Sequence, residues 1–347
     1  MSYLSSTYIQ CEVIQEMLDN AFATCLTPEE SMPFLTAVLQ TQSASGISQQ
    51  VASGDGKVKT VKVIYDQRLL ESETTNSSGA RTCTTNDETF DHYTTYQIDS
   101  TAWIKAEESF DTADLATVCT NDVQSMIANK IKKIADVLER ATATQVATQG
   151  VALYGEWGTN VDGVTSDELV VSTFIGSAAN KVLDYTAMTD IDLALKQTGY
   201  CAPAIIVGGS TLYKYGKNIE AGCCSDTGVD LLAKANQFGK AFMYDKRIAT
   251  AIGSEDKSLV FQAGSLALIT YNESTQVPNL GANYAKFKIF SPRTGLPIDI
   301  VMSDDCGHIS VIGYVCTKLV GLPTDMYKAG DEYAGVTLVN KIKVTNS

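Results

Sequence analysis

The side chains in this sequence most suited to metal binding cluster in one short segment, Asp304, Asp305, Cys306 and His308. Zinc sites usually draw their ligands from separate segments, and a tight turn cannot easily aim four neighbouring side chains at one ion. Asp-Asp-Cys-Gly is also typical of a hairpin turn. The sequence therefore predicts a turn here rather than a metal site, and it predicts no cofactor.

Two further segments were candidates for chemistry. Gly208-Gly209-Ser210 lies where a strand leads into a helix and could cradle an anion, but its spacing is not that of a phosphate loop and a plain turn needs the same residues. Cys223 and Cys224 are adjacent thiols, which can bind soft metals or become oxidised. No second ligand pair lies near them in sequence, which favours cysteines in an exposed loop. With no nucleophile, dinucleotide or zinc-protease motif in the chain, we predict that it is not an enzyme.

Composition narrows the class of protein. The chain has 347 residues, 44% of them apolar, and a net charge of −14. That is typical of a globular protein and gives no net attraction to nucleic acid. No apolar run approaches the ~18 residues of a membrane helix, and no signal peptide is visible. The nine cysteines form no C-x-x-C pair, which indicates reduced thiols in a cytosolic product.

The first 56 residues contain no Lys or Arg. Apolar residues there recur at helical spacing and predict a helix, namely Tyr8, Ile9, Val13, Ile14 and Met17. The polar stretch 40–56 has no periodicity and is interpreted as an extended connector. Residues 1–50 are therefore assigned to an N-terminal arm, with an ordinary first helix and loop as the alternative.

Residues 51–108 are predicted to form a long β-hairpin. Its strands are KVKTVKVIYDQRLL and FDHYTTYQIDSTAWIK, joined by a polar tip. A two-stranded ribbon is marginal in water. It therefore needs a surface to lie on, either its own domain or another subunit.

A long helix is predicted over about 28 residues before Gly150, because Val123, Ile127, Ile131, Ile134 and Leu138 follow in steps of three and four. Charged residues are assigned to its other faces: Lys130, Lys132, Lys133, Asp136, Glu139 and Arg140. An ordinary core helix and a coiled coil are the alternatives.

A small α/β unit follows. The patterns predict helices at 174–183, MTDIDLALKQTG and STLYKYGKN, a buried strand at CAPAIIVGG, and strands at AFMYDKRIATA and SLVFQAGSLALITYN. Return strands with turns at SPRTG and SDDCG come next.

This order of arm, long hairpin, long helix, α/β unit and return strands resembles the HK97-like major capsid protein of tailed double-stranded DNA bacteriophages. CAPAIIVGGSTLYKYGKN resembles the strand and helix that lead to the central loop of that family's A-domain. The resemblance implies an α+β HK97-like fold with an N-terminal arm (1–50), an E-loop hairpin (51–108), a P-domain with a spine helix (109–155 and 284–325), an A-domain (156–283) and a C-terminal tail (326–347).

The resemblance also implies a homo-oligomer of pentamers and hexamers that forms an icosahedral shell. The shell would enclose DNA without binding it specifically, be assembled in the host cytoplasm, become part of the virion, and use no membrane. Scaffold, portal and decoration proteins are possible partners. The expected inter-subunit residues are Lys57, Lys59, Lys62, Glu71, Arg81, Tyr93, Tyr96, Cys223 and Cys224.

Two alternatives stay open. An encapsulin-like nanocompartment has the same fold but encloses cargo enzymes, and its E-loop is typically shorter than the hairpin predicted here. A cytosolic α/β enzyme would use the turn at Gly208 or the cluster at Asp304–His308. The size of the purified particle separates a shell from an enzyme.

Overall fold

The structure is a computed structural model, and it describes residues 15, 16, 19, 31–42, 48–52, 59–64, 93–98, 103–114, 120–155, 157, 168–176, 182–184, 186–200, 204–220, 240–271, 283–322 and 337–345. It divides into two compact units. The first unit comprises Met1–Leu39, Ile98–Val146 and Leu268–Lys318. The second comprises Gln40–Gln97, Ala147–Ala267 and Leu319–Ser347.

Helices and strands both contribute to the fold. The helices are α1 (Pro33–Thr41), α2 (Thr120–Ala152), α3 (Thr186–Gln197), α4 (Ser210–Glu220) and α5 (Lys246–Ile252). The strands are β1 (Ser48–Ala52), β2 (Lys59–Ile64), β3 (Tyr93–Ile98), β4 (Trp103–Asp111), β5 (Glu168–Ser172), β6 (Phe174–Ile175), β7 (Val182–Leu183), β8 (Ala204–Gly208), β9 (Lys240–Tyr244), β10 (Lys257–Gln262), β11 (Leu266–Thr270), β12 (Tyr284–Phe290), β13 (Pro297–Asp305), β14 (His308–Gly321) and β15 (Val339–Thr345).

The first unit is built on a sheet in which β14 is the central strand. The strands β12, β13 and β14 are successive neighbours, and β14 also pairs with β4 and β11. The pairings of β12 with β13, of β13 with β14 and of β14 with β4 are antiparallel. The predicted return strands and their turns at SPRTG and SDDCG are confirmed.

The long helix α2 packs on this sheet. It has 33 residues and continues two residues past Gly150, where the sequence predicted its end. The apolar stripe is buried as expected, and each of its five members is at most 1% exposed: Val123, Ile127, Ile131, Ile134 and Leu138. Gly313 of β14 lies directly beneath the side chains of Ile134 and Leu138. A glycine in the strand thus lets the helix approach the sheet closely.

The second unit contains a five-stranded sheet in the order β5-β15-β10-β8-β9. Helices α3 and α4 cover one face, and Ile191 and Leu212 join a core with Ile206, Val260 and Ile342 of the sheet. The short helix α5 begins after Asp245, whose carboxylate accepts a hydrogen bond from the Arg247 amide, and ends at Gly253 in the left-handed conformation. These are the usual start and stop signals of a helix.

The predicted ribbon differs from the observed strands. The segment interpreted as a connector contains β1, which pairs antiparallel with β2, and β2 also neighbours β3, so that three strands form this sheet. The second predicted strand is divided into β3 and β4, and β4 belongs to the sheet of the first unit. Residues 103–108, assigned from the sequence to the hairpin, therefore lie in β4. The sequence between these two strands contains Asp99, and aspartate is depleted in strands.

Three other predictions are wrong. Residues 174–183 contain the short strands β6 and β7 instead of a helix. AFMYDKRIATA is a strand followed by α5, because Asp245 starts a helix. The C-terminal segment is no separate tail, since β15 lies inside the second sheet between β5 and β10. The predicted apolar face of the first helix, Tyr8 to Met17, lies outside the described residues.

Candidate functional site

The residues predicted to contact other subunits fall into two groups. Lys57, Glu71, Arg81, Cys223 and Cys224 lie outside the described residues. Lys59 and Lys62 lie in β2, and Tyr93 and Tyr96 lie in β3. These two strands are hydrogen-bonded neighbours, so the backbone places the four residues on one sheet.

The segment Asp304–His308 forms the predicted hairpin turn. Cys306 and Gly307 have φ angles of 54° and 99°, which is the left-handed pair that a two-residue hairpin loop requires. The Gly307 amide donates to Asp304 Oδ1 at 2.9 Å, and His308 Nδ1 lies 2.7 Å from Asp111 Oδ1 of the neighbouring strand. Asp304 thus binds its own turn and His308 pairs across the sheet.

The described part of the chain holds no group of three or more His, Cys, Asp or Glu side chains arranged to bind a metal ion. None of the helices in the same residues is long and apolar enough to cross a membrane.

The turn at Gly208-Gly209-Ser210 is already filled by the chain's own carboxylates. The amide of Ser210, the first residue of α4, donates to Glu255 Oε2 at 2.9 Å, and Thr211 Oγ1 donates to Asp256 Oδ1 at 2.7 Å. A Cβ atom at Gly209 would lie only 1.9 Å from the Glu255 carbonyl oxygen. The glycine therefore permits close approach of two backbone segments, and the prediction of a plain strand-to-helix turn is confirmed.

An extensive polar arrangement in the described part of the first unit surrounds Glu139 of α2, which is fully buried. Its Oε1 accepts from Thr294 Oγ1 at 2.6 Å and from the Ser291 hydroxyl. Its Oε2 accepts from Arg293 Nε at 2.9 Å. The Arg293 guanidinium also donates to Asp136 Oδ1 at 2.9 Å.

This cluster, Asp136–Glu139 with Ser291–Thr294, fastens the turn between β12 and β13 to the helix. Both carboxylate oxygens of Glu139 accept hydrogen bonds from the turn. Glu139 therefore fixes the turn to the helix and is not presented to a ligand. Burial opposes the charge of Arg293, but its bonds to Glu139 and Asp136 outweigh that effect and raise its pKa.

The sequence assigned Glu139 to a face of the helix other than the apolar stripe, and it did not predict that this carboxylate is buried. The sequence does carry a signal of this burial in the spacing of two alanines. Ala135 and Ala143 each lie four residues from Glu139, on the same side of the helix, and both are buried. Small residues on either side of a carboxylate along a helix allow a neighbouring loop to approach it.

A second charged group occupies the sheet of the second unit. Glu168 Oε1 lies 2.6 Å from Lys257 Nζ and 3.1 Å from Lys341 Nζ. Lys341 also lies over the ring of Tyr154, 4.1 Å from its centroid. Burial opposes ionisation of Glu168, but the hydrogen bonds and charges of the two lysines outweigh it and hold the pKa of Glu168 below its ordinary value. The group ties three neighbouring strands together, since β5, β15 and β10 each contribute one residue.

Comparison with known proteins adds structural similarity only. No family model matches the chain, and no curated protein matches it. The structure is similar to the virus-like particle from Pyrococcus furiosus, with 11% identity, a TM-score of 0.38 and coverage of 88% of this chain and 96% of that one. It is also similar to the capsid of Myoviridae phage XM1, at 12% identity and a TM-score of 0.38 over 93% and 95% of the two chains. The capsid of Ralstonia phage GP4 is similar as well, with 10% identity and a TM-score of 0.38 over 86% of each chain.

Proposed function

We propose that the chain is the structural subunit of an icosahedral HK97-like shell that encloses the double-stranded DNA of a tailed bacteriophage. The observation that carries the proposal is the order of the elements along the chain. A sheet of three short strands is followed by a helix of 33 residues, then by an α/β unit, and then by strands that return to the sheet beneath the helix. A helix of this length spans ~50 Å.

Within this proposal α2 is the spine helix, and together with the sheet of β4 and β11–β14 it forms the P-domain. The sheet of β5, β8–β10 and β15 with its helices is the A-domain. Strands β1–β3 belong to the E-loop, and the residues before them to the N-terminal arm. The proposed P-domain thus includes β4, and the proposed A-domain includes β15, in addition to the ranges inferred from the sequence.

A structural role agrees with the way in which the described polar groups are used. Glu139 fastens a turn to the helix, Glu255 binds the start of α4, and Asp304 closes a hairpin. Each of these carboxylates is bound by groups of the same chain. We therefore propose that the chain has no catalytic activity of its own.

The partners in this proposal are copies of the same chain. The three-stranded sheet of β1–β3 would lie on a neighbouring subunit, because so small a sheet is stable only when one of its faces is packed against other groups. The contact residues would be Lys57, Lys59, Lys62, Glu71, Arg81, Tyr93 and Tyr96. Scaffold, portal and decoration proteins would be further partners of the assembled shell.

Particle size tests the proposal directly. The purified full-length chain is expected to elute as a megadalton particle and to show round shells in electron micrographs. Elution as a monomer or small oligomer under all assembly conditions would contradict it. A shell that co-purifies with a protein cargo, and not with nuclease-protected DNA after infection, would instead identify an encapsulin-like compartment.

The loop that contains Cys223 and Cys224 supplies a more local prediction. In the proposed A-domain it lies at the capsomer axis, where symmetry would bring five or six copies of these thiols together. Mild oxidant should therefore produce dimers and higher ladders on a non-reducing gel. The buried thiol of Cys316 is the internal control, because it is only 2% exposed. Labelling of Cys316 without reaction of the pair would contradict the axis assignment.

A further inference from the structure

Strand β12 is the last strand of its sheet among the described strands, with β13 as its neighbour. In such a strand alternate residues turn their N–H and C=O groups away from the sheet. The Ser291 amide donates inward to the Leu296 carbonyl at 2.9 Å. The backbone N–H and C=O groups of the preceding residue, Phe290, therefore point away from the sheet. The residue opposite Phe290 is Pro297, which has no N–H to offer.

The outward groups of Phe290 are both bound by one side chain from the N-terminal region. Gln15 Nε2 donates to the Phe290 carbonyl at 3.1 Å, and the Phe290 amide donates to Gln15 Oε1 at 3.3 Å. A primary amide carries a donor and an acceptor side by side, as a peptide group does. Gln15 therefore takes the place of one residue of an added strand. Asp19 Oδ1 accepts from the same Nε2 at 2.9 Å, which orients the amide.

The charges around this contact are complementary. Gln15 is followed by Glu16 and Asp19, in a stretch of 56 residues that has no Lys or Arg. On the strand, Lys288 Nζ lies 4.6 Å from the centroid of the Phe290 ring, and that ring is 48% exposed. Two acidic residues, Glu16 and Asp19, thus lie beside the glutamine that binds a strand edge carrying a cation and an exposed aromatic ring.

We propose that the edge of β12 at Phe290 is a docking surface for the acidic N-terminal segment of the same chain, and that Gln15 fixes the position of the segment on it. The contact works as a latch, in which a side-chain amide completes the hydrogen bonds of a strand edge. This inference is independent of the shell proposal, since it concerns one chain and rests on contacts within the first unit.

Hydrogen exchange of the full-length chain tests the latch at single residues. In Gln15→Ala the Phe290 amide loses its acceptor, and its exchange should become about five- to tenfold faster, as expected for loss of one hydrogen bond. The Ser291 amide is the internal reference, because its partner is the Leu296 carbonyl and its rate should not change. Asn129→Ala is the matched control, since it removes an exposed amide from α2 and should leave both rates unaltered.

Proteolysis supplies the second readout. Trypsin has no site in the first 56 residues, so a protease that cleaves after glutamate is used, and cleavage after Glu16 is followed. Gln15→Ala should accelerate this cleavage several-fold. Lys288→Glu should do so as well, because it places a negative charge beside the acidic segment, and added salt should reduce the difference between Lys288→Glu and the parent chain.

An unchanged Phe290 exchange rate in Gln15→Ala would overturn the proposal. An equal acceleration at Phe290 and Ser291 would also overturn it, because the end of the strand would then be loosened as a whole. Both readouts are taken on parent and variant chains that have been dissociated and shown to have equal size, so an assembly defect of Gln15→Ala does not imitate either result.

Discussion

Replacement of Gly313 by alanine tests whether the long helix α2 packs directly on this residue of the sheet. Gly313 lies in β14 between Ala106 of β4 and Ile300 of β13. An added Cβ would lie 2.3 Å from Ile134 Cγ2 and 2.8 Å from Leu138 Cδ1. Carbon atoms in contact are normally about 3.5–4.0 Å apart. Both helix side chains are fully buried, so either the helix must move away from the sheet or both must leave their rotamers.

Two opposed effects set the expected change in the free energy of unfolding of Gly313→Ala. Overpacking of a close-packed core costs about 1–3 kcal/mol. The loss of glycine's freedom in the unfolded chain returns about 0.4–1 kcal/mol. We therefore expect Gly313→Ala to lower the free energy of unfolding of the first unit by about 1–2 kcal/mol.

Urea unfolding followed by tryptophan fluorescence measures this difference. The chain has two tryptophans. Trp103 lies in the first unit and Trp157 in the second, so a Trp157→Phe background leaves a reporter of the first unit alone. The matched control is Gly321→Ala in the same strand, where the nearest atom would be 3.8 Å away and the expected change is neutral or slightly stabilising. It is followed through Trp157 in a Trp103→Phe background, because Gly321 belongs to the second unit.

A double-mutant cycle that combines Gly313→Ala with Ile134→Ala tests whether the two residues are in contact. Ile134→Ala alone should cost about 2–5 kcal/mol, because it empties a buried position. In that background most of the clash is absent, so Gly313→Ala should lose most of its cost. If Gly313→Ala is neutral in the parent chain, or costs the same with and without Ile134, the helix does not lie on Gly313.

Three other substitutions test the remaining contacts. Glu139→Ala leaves the half-buried guanidinium of Arg293 without its main partner. It also removes the acceptor of the buried Ser291 and Thr294 hydroxyls, so unfolding measurements should show a loss of about 3–5 kcal/mol. Gly209→Ala brings a Cβ to 1.9 Å from the carbonyl of Glu255, so the soluble yield of the folded chain should fall sharply, whereas an exposed Asn→Ala substitution on α2 should not lower it. The pKa of Glu168 is held below its ordinary 4.5, so its stabilising contribution is complete above that pH and is lost as the pH falls through the lowered value. The stability difference between Glu168→Gln and the parent chain should therefore be large at about pH 7 and small at about pH 3.

The elements that the sequence predicts correctly are those specified by local signals. Helix α2 has an uninterrupted stripe at steps of three and four, and the turn after Asp305 has the residues that a left-handed pair needs. Such signals require no knowledge of distant segments. The start of α5 carries a local signal as well, because Asp245 is a residue type that starts helices.

Strand pairing could not be predicted in the same way, because the choice of partner is made between distant segments. β15 alternates apolar and polar residues like an edge strand, yet it lies between β5 and β10. Its Lys341 is only 7% exposed, and it is tolerated there because Glu168 and the ring of Tyr154 lie beside it. Neither partner is near in sequence, so no local pattern reveals that this lysine is buried.

Hydrogen bonds within the chain explain why motifs that resemble catalytic or binding sites have a different role here. Glu255 binds the start of α4, Glu139 binds the turn at Ser291–Thr294, and Asp304 binds its own hairpin. In each case a polar group that could have faced a ligand joins two segments of one chain instead. The contact of Phe290 with Gln15 uses a strand edge for binding within one chain. The sheet of β1–β3 and the segment with Cys223 and Cys224 are the proposed contacts between chains.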